Sequence, residues 1–303
     1  MQKITLSHTV RFKMNHLARP PYYADAATLP AKIPSEAEIL ASKNFLKSGH
    51  RRSVVRVGSH FVVKYGQDLC DLEAQNMIFV RMQAKIPVPK VYAVFKSVDR
   101  KILFIVMENI SGCSLETEWL KMSKDQQHQV CHELIRHFAR LRHIQSPGYF
   151  GCLNRTPLSY SMFYTPERNP DVNGPFSDET ALNKALVLRS RMIEIQSGRS
   201  GVKADFYQEA LPTVFHGNRP VFTHADLQRK NVMVRKVAGT SPPKYQVYLI
   251  DWELSGWYPS YWEYCAAAIA FRWDDDWPKR VESILKPYRN EFAWFSMLFN
   301  ELW

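Results

Sequence analysis

The stretch from Phe222 to Pro259 constrains this chain more than any other. It opens with Phe222-Thr223-His224-Ala225-Asp226-Leu227-Gln228-Arg229-Lys230-Asn231, an H-x-D-x-x-x-x-N pattern, and reaches Leu249-Ile250-Asp251-Trp252-Glu253 with Asp251 twenty residues after the Asn. Between the two, Val232-Met233-Val234 has the β-branched, apolar character of a strand. Residues 236–244, with Gly239, Pro242 and Pro243, turn the chain, and residues 245–250 bring it back. Such a hairpin would put Asn231 and Asp251 at one end. An Asp on the tight loop before it can accept a proton from an attacking hydroxyl, and the Asn and the second Asp can share a magnesium ion through hard oxygen donors. Alone, H-x-D-x-x-x-x-N is equally a polar loop with an Asx turn. The strand, the return strand and the terminal Asp together turn the reading toward phosphoryl transfer.

The rest of the chain is compatible with that chemistry. Its 303 residues are 46% hydrophobic, enough for one large domain or two lobes with a substantial core. The formal charge of +11 suits an anionic ligand such as ATP. The basic residues are spread out, with no run of five, which argues for a solvated surface and against a dedicated nucleic-acid interface. No stretch of 18 apolar residues exists, so no membrane span is expected. The five cysteines (Cys70, Cys113, Cys131, Cys152, Cys265) are odd in number and form no CxxC, as expected of reduced thiols in a cytoplasmic protein. The first 24 residues lack Asp and Glu, and Pro20-Pro21-Tyr22-Tyr23 reads as a strap packed on a surface.

Along the chain, Ser35 with Glu38 can form a capping box for a helix over residues 36–48. Residues 53–57 and 60–65 read as strands joined through Gly58-Ser59, and Asp68 can cap a helix over 69–83 that must stop before Ile86-Pro87-Val88-Pro89. Residues 91–96 and 102–107 form a further antiparallel pair turned at Asp99-Arg100. After Gly112 the pattern becomes helical. Residues 125–144 carry a stripe of Val130, Leu134, His137/Phe138 and Leu141. Residues 146–178 form an irregular excursion, residues 179–196 and 205–216 are helical, and residues 261–303 are helical and aromatic. Three parts are expected: a strap and helix over 1–44, a nucleotide-binding lobe over 45–110, and a catalytic and acceptor-binding lobe over 111–303.

Lys64 lies in the alternating strand Phe61-Val62-Val63-Lys64-Tyr65, and Glu73 follows nine residues later in a helix. A strand Lys held by a helix Glu can anchor the α- and β-phosphates of a nucleotide. The turn expected to cover those phosphates, Ser48-Gly49-His50-Arg51-Arg52-Ser53, has one glycine. Backbone amides, Ser53 and the arginines would have to replace a glycine-rich loop. Residues 107–110 fit a hinge meeting the adenine, with Met107, Glu108 and Ile110 as candidate contacts. Ile250, beside Asp251, is another.

These pieces together resemble the aminoglycoside phosphotransferase family, most closely its fungal branch of uncharacterised phosphotransferases. The resemblance rests on Val62-Val63-Lys64-Tyr65-Gly66, Pro87-Val88-Pro89-Lys90-Val91-Tyr92, Val106-Met107-Glu108, Phe222-Thr223-His224-Ala225-Asp226-Leu227, Asn231-Val232-Met233-Val234, and Ile250-Asp251-Trp252-Glu253-Leu254-Ser255-Gly256-Trp257-Tyr258-Pro259 continued by Trp262-Glu263-Tyr264. It covers about residues 45–270. It implies an α+β, two-lobed protein-kinase-like fold, with a small antiparallel-sheet N-lobe and a larger, mainly helical C-lobe, using ATP and Mg2+. Carried over, Asp226 is the catalytic base, Asn231 and Asp251 are metal ligands, and Lys64 with Glu73 anchors phosphates. Ala225 stands where the family commonly has Gly in H-G-D, and little effect is expected of it.

The acceptor is expected to be a small molecule docking against the C-lobe helices. Candidate contacts are residues 154–178 with Tyr164, the run Arg272-Trp273-Asp274-Asp275-Asp276-Trp277, and Trp257. Trp273, Asp274 and Asp275 could hold an ammonium by charge and cation–π contact, or could simply mark a helix N-terminus. Two other function classes stay open: an inactive kinase-like scaffold, and a repurposed fold performing adenylyl transfer or another ATP-driven step. Oligomeric state is not readable. His128 and His132 stand four apart on a helix, but a solvated face explains them better than a metal site, and Arg136 breaks an H-E-x-x-H pattern.

Overall fold

The computed structural model describes residues 18–241, 243–271 and 273–302. The basic segment over residues 1–17, together with Pro242, Arg272 and Trp303, lies outside the described residues.

The N-lobe is a twisted antiparallel sheet with one helix on each face. Its strands are β1 (Tyr22–Tyr23), β2 (Phe45–Lys47), β3 (Arg52–Val57), β4 (Phe61–Gly66), β5 (Val91–Lys96) and β6 (Leu103–Glu108), in the order β1-β5-β6-β4-β3-β2. Helix α1 (Glu36–Ala41) begins at Ser35, whose capping box with Glu38 forms as expected. The helix is shorter than the expected 36–48. It ends at Ala41, and residues 45–47 pair with β3 as edge strand β2 (Phe45↔Val55). Helix α2 (Leu72–Gln83) starts three residues later than expected, because Asp68 is paired with Arg51 at 2.7 Å rather than capping. The expected strap is in fact strand β1, laid on the β5 edge with Tyr23 stacked on Phe95.

Period-two alternation splits the sheet's apolar residues between two cores. Phe61, Val63, Phe104 and Val106 face a small cluster with Ile39 of α1. Leu103, Ile105 and Met107 face a large cluster with Leu72, Met77, Phe79 and Val80 of α2, which runs on without a break into the C-lobe.

The chain crosses over at Gly112. A Cβ there would collide with the Val234 carbonyl, so only glycine lets β7 (Cys113–Ser114) lie against the next sheet. Helices α3 (Leu115–Glu118) and α4 (Lys124–Arg142) follow. The α4 stripe Val130, Leu134, Phe138 and Leu141 is buried as the periodicity requires, while His128 and His132 are exposed. The irregular excursion contains α5 (Pro170–Asn173) and leads to α6 (Glu179–Gln196) and α7 (Val202–Val214). Strand β8 (Pro220–Thr223) leads into the site loop. The expected hairpin of β9 (Val232–Lys236) and β10 (Tyr245–Leu249) forms, with Leu249 opposite Val232. β11 (Gly256–Pro259) pairs back with β8. Helices α8 (Trp262–Ile269), α9 (Trp277–Ile284) and α10 (Arg289–Leu302) complete the lobe around Trp262, which packs on Tyr160, Phe163, Tyr258 and Phe295. None of the described helices is long and apolar enough to cross a membrane, and all five cysteines are free.

Candidate active site

The loop between β8 and β9 is built from its backbone outward. Ala225 has φ 68°. This left-handed conformation suits the glycine of the family pattern, and for alanine it costs about 1–2 kcal/mol. Buried Glu263 offsets the strain, its carboxylate accepting the amides of His224 (2.7 Å) and Ala225 (3.2 Å). Burial raises the Glu263 pKa, against the pull of His224, Arg142 and those two amides. The His224 ring takes the Asp226 amide on Nδ1 (3.2 Å), which assigns its proton to Nε2, 2.9 Å from the Ile250 carbonyl. One imidazole thus ties the two halves of the site together.

Asp226 leaves this loop half-buried, with one carboxylate oxygen accepting from Gln228 Nε2 and the other from Asn231 Nδ2 at 2.7 Å. Asn231 Nδ2 also reaches the Asp226 carbonyl at 3.0 Å, so its amide orientation is fixed and Oδ1 remains as an acceptor. The Ile250 amide donates to the Asn231 carbonyl at 3.0 Å, which brings Asp251 beside Asn231. Asp251 also has a positive φ, 64°. Two hard oxygen donors from separate segments, one carboxylate and one amide, suit magnesium, which keeps most of its remaining shell as water and substrate oxygen.

From the N-lobe, buried Lys64 reaches the same point. Its Nζ is 2.7 Å from Glu73, 3.0 Å from Asp251 and 3.1 Å from Glu253. Burial works against the ammonium, but the three carboxylates outweigh it and hold the Lys64 pKa above the lysine range. Burial pushes Glu73 up to about 7 against the pull of Lys64, with Asp251 and Glu253 adding to the rise. Asp251 is lowered, since Lys64 outweighs its burial. One carboxylate oxygen from each of Glu73, Asp251 and Glu253 falls within 4.8 Å of the others, and Lys64 is their common counter-ion.

Helix α2 holds this arrangement from behind. Buried Asn76, one turn beyond Glu73, donates from Nδ2 to the carbonyls of Trp252 (2.8 Å) and Ser255 (3.3 Å). At the expected adenine edge, the Glu108 amide donates to Lys90 (2.8 Å) and the Glu108 carboxylate accepts the Lys90 amide (3.2 Å). Met107 and Ile110 are buried beside it. Ser53 lies inside β3, opposite Tyr65, and not in the covering turn.

Of the acceptor candidates, Trp257 is removed from consideration. It is 1% exposed and packs on Phe79 and Phe222 in the core. Asp275 is also occupied: it takes Arg229 at 2.6 Å and the Trp277 amide at 2.8 Å, with the Arg229 guanidinium over the Trp277 ring. The cation that the Asp and Trp pair could have drawn from a ligand is supplied by the chain itself. Asp274 and Trp273 stay exposed near a small depression lined by Gln228, Lys230 and Asp274, and Tyr164 is exposed on the excursion. Glu253, Glu263, Asn76 and Gln228 were not assigned a role at the site from the sequence. Glu253, two residues after Asp251, had a signal in its spacing; Asn76 had none.

The model of the phosphotransferase enzyme family matches residues 40–297. No curated protein matches. Among solved structures, the streptomycin–ATP ternary complex of APH(2")-IIa is similar over 87% of each chain, with 14% identity and a TM-score of 0.54. Aminoglycoside phosphotransferase APH(4)-Ia is similar over 85% of this chain and 81% of its own, with 15% identity and a TM-score of 0.54. ADP-bound APH(2'')-Ib has 16% identity over 82% and 79%, with a TM-score of 0.52.

Proposed function

Because the chain belongs to the phosphotransferase enzyme family, we propose that it moves the γ-phosphate of ATP to a hydroxyl of a small molecule, with Asp226 as base. One observation carries the reading: Lys64 from the N-lobe meets Asp251 at 3.0 Å, beside Asn231 and the Asp226 to which it is bonded. Asp251 and Asn231 Oδ1 would hold magnesium, which when bound neutralises charge on the phosphates. Lys64 anchors the phosphates, and Glu73 keeps its ammonium in place. Asp226, oriented by Gln228 and Asn231, accepts the proton of the acceptor hydroxyl as its oxygen attacks. The protein's contribution is positioning and electrostatics, with no covalent intermediate.

The test is thermal unfolding with ATP, with and without magnesium, on the wild type and Asp251→Asn. Nucleotide at about a hundred times its dissociation constant adds roughly 2.7 kcal/mol. That gain is expected to depend on magnesium and to vanish in the variant. Equal stabilisation of both proteins would remove Asp251 from the metal site, and no stabilisation of either would refute the reading.

A further inference from the structure

The turn over residues 48–51 has a single glycine, Gly49, and cannot bring a row of backbone amides close to phosphates as a glycine-rich loop does. Two arginines follow it, and they point in different directions. Arg51 is held by Asp68 at 2.7 Å, with both side chains well exposed. Arg52, the first residue of β3, reaches across the cleft to the C-lobe, where its Nη1 is 2.6 Å from Glu253 Oε2. The same Glu253 oxygen is 3.1 Å from Lys64 Nζ. One carboxylate oxygen therefore holds two N-lobe cations, one of them already the expected phosphate anchor.

The base of Arg52 is fixed. It pairs in register with Gly66, and a Cβ at Gly66 would collide with the Arg51 carbonyl, so the start of β3 is pressed onto β4. Both cations are already engaged. Arg52 and Lys64 are both held by carboxylates, Lys64 by Glu73, Asp251 and Glu253 and Arg52 by Glu253. An incoming polyphosphate that binds Arg52 or Lys64 must take it from a carboxylate.

We propose that Arg52 is a phosphate-binding residue, that Glu253 is the counter-ion holding it across the cleft without nucleotide, and that the triphosphate takes Arg52 from Glu253 on binding. The proposal rests on the phosphotransferase reading and names the residue that stands in for the missing glycines. A guanidinium fork offers phosphate oxygens two parallel donors at a fixed spacing, the geometry that a lysine at this position lacks.

Calorimetric titration of the full chain with ATP and with adenosine, in chelator and then in magnesium, tests it. Arg52→Ala is expected to weaken ATP binding about tenfold, the loss of roughly one charge-assisted hydrogen bond, and to leave adenosine binding unchanged. The unchanged adenosine affinity also checks that the variant is folded. Arg52→Lys is expected to fall between. Glu253→Gln is expected to tighten ATP binding in chelator, because the competing carboxylate is gone. If Arg52→Ala binds ATP like the wild type, or if Glu253→Gln weakens ATP in chelator, the partner exchange is refuted while nucleotide binding stands. If the wild type itself binds no ATP, the phosphotransferase reading falls and the Arg52 role with it.

Discussion

Glu73 is the residue at which burial and charge disagree most. Its carboxylate is 2.7 Å from Lys64, in an ion-pair contact without hydrogen-bond alignment, and it lies almost wholly inside the protein. Burial with two further carboxylates nearby raises its pKa from 4.5 to about 7. A raised folded-state pKa means the fold prefers the protonated form. The stability this group contributes is complete below about pH 4.5 and is lost as pH rises through about 7. The stability of the wild type relative to Glu73→Gln, measured by urea unfolding, is expected to fall between about pH 5 and pH 8 by on the order of 2 kcal/mol. A wild type that gains on the variant over that range would show that Lys64 keeps Glu73 ionised throughout. For Asp226 the expectation is kinetic. Asp226→Asn should lower turnover by roughly two to four orders of magnitude while the shift in melting temperature with ATP and magnesium is retained. Loss of that shift would make Asp226 a structural residue of the loop. The two residues differed in legibility. Asp226 stood out in the sequence by its spacing to Asn231, whereas the pressure on Glu73 comes first from burial and then from Asp251 and Glu253, and burial is not encoded in a motif.

Among the elements, α2 carries most of the coupling between lobes. Its Glu73, Asn76 and Phe79 recur every three residues along the helix. They meet in turn Lys64, the carbonyls of Trp252 and Ser255, and the rings of Phe222 and Trp257. The chain dictates this helix locally, through the barrier of Pro87 and Pro89 after it, but its C-lobe partners are about 140–180 residues away. Asn76→Ala leaves two buried carbonyls without their donor, and a loss of about 2–4 kcal/mol in denaturant unfolding is expected, together with weaker nucleotide binding. A loss below about 0.5 kcal/mol would mean that the Asp251 segment is held without Asn76. The strands and the β9–β10 hairpin were readable because alternation and turn residues act over a few positions. Two boundaries were not. Helix α1 stops at Ala41 because residues 45–47 complete a sheet edge, and α2 starts at Leu72 because Asp68 answers Arg51. In both, a tertiary partner overrides a local propensity.

On the scale of the molecule, the lobes face each other across the candidate site yet share a core. The large apolar cluster contains Leu72, Met77, Phe79, Ile105 and Met107 of the N-lobe together with Phe222, Trp252, Trp257 and Leu249 of the C-lobe. Among the described residues, the outer face of the sheet, around Val55, Phe61 and Phe104, has a separate core of its own. Hydropathy alone suggested two bodies near residue 110, since it records where the pattern changes and not which surfaces end up facing each other. An N-lobe cut free would expose the C-lobe-facing side of α2, where Phe79 packs on Phe222 and Trp257, and a body of that size cannot compensate the loss. The lobes are therefore expected to unfold together. All eight tryptophans lie after residue 110, so tryptophan fluorescence reports the C-lobe, and hydrogen exchange at the β4 and β6 amides reports the N-lobe. The two probes are expected to give one urea midpoint, and a fragment ending near residue 110 is expected to lack protected amides. If β4 and β6 exchange at urea concentrations where tryptophan fluorescence is still native, the shared cluster does not couple the lobes. Lys64 would then be brought to Asp251 by the nucleotide rather than by the packing of α2.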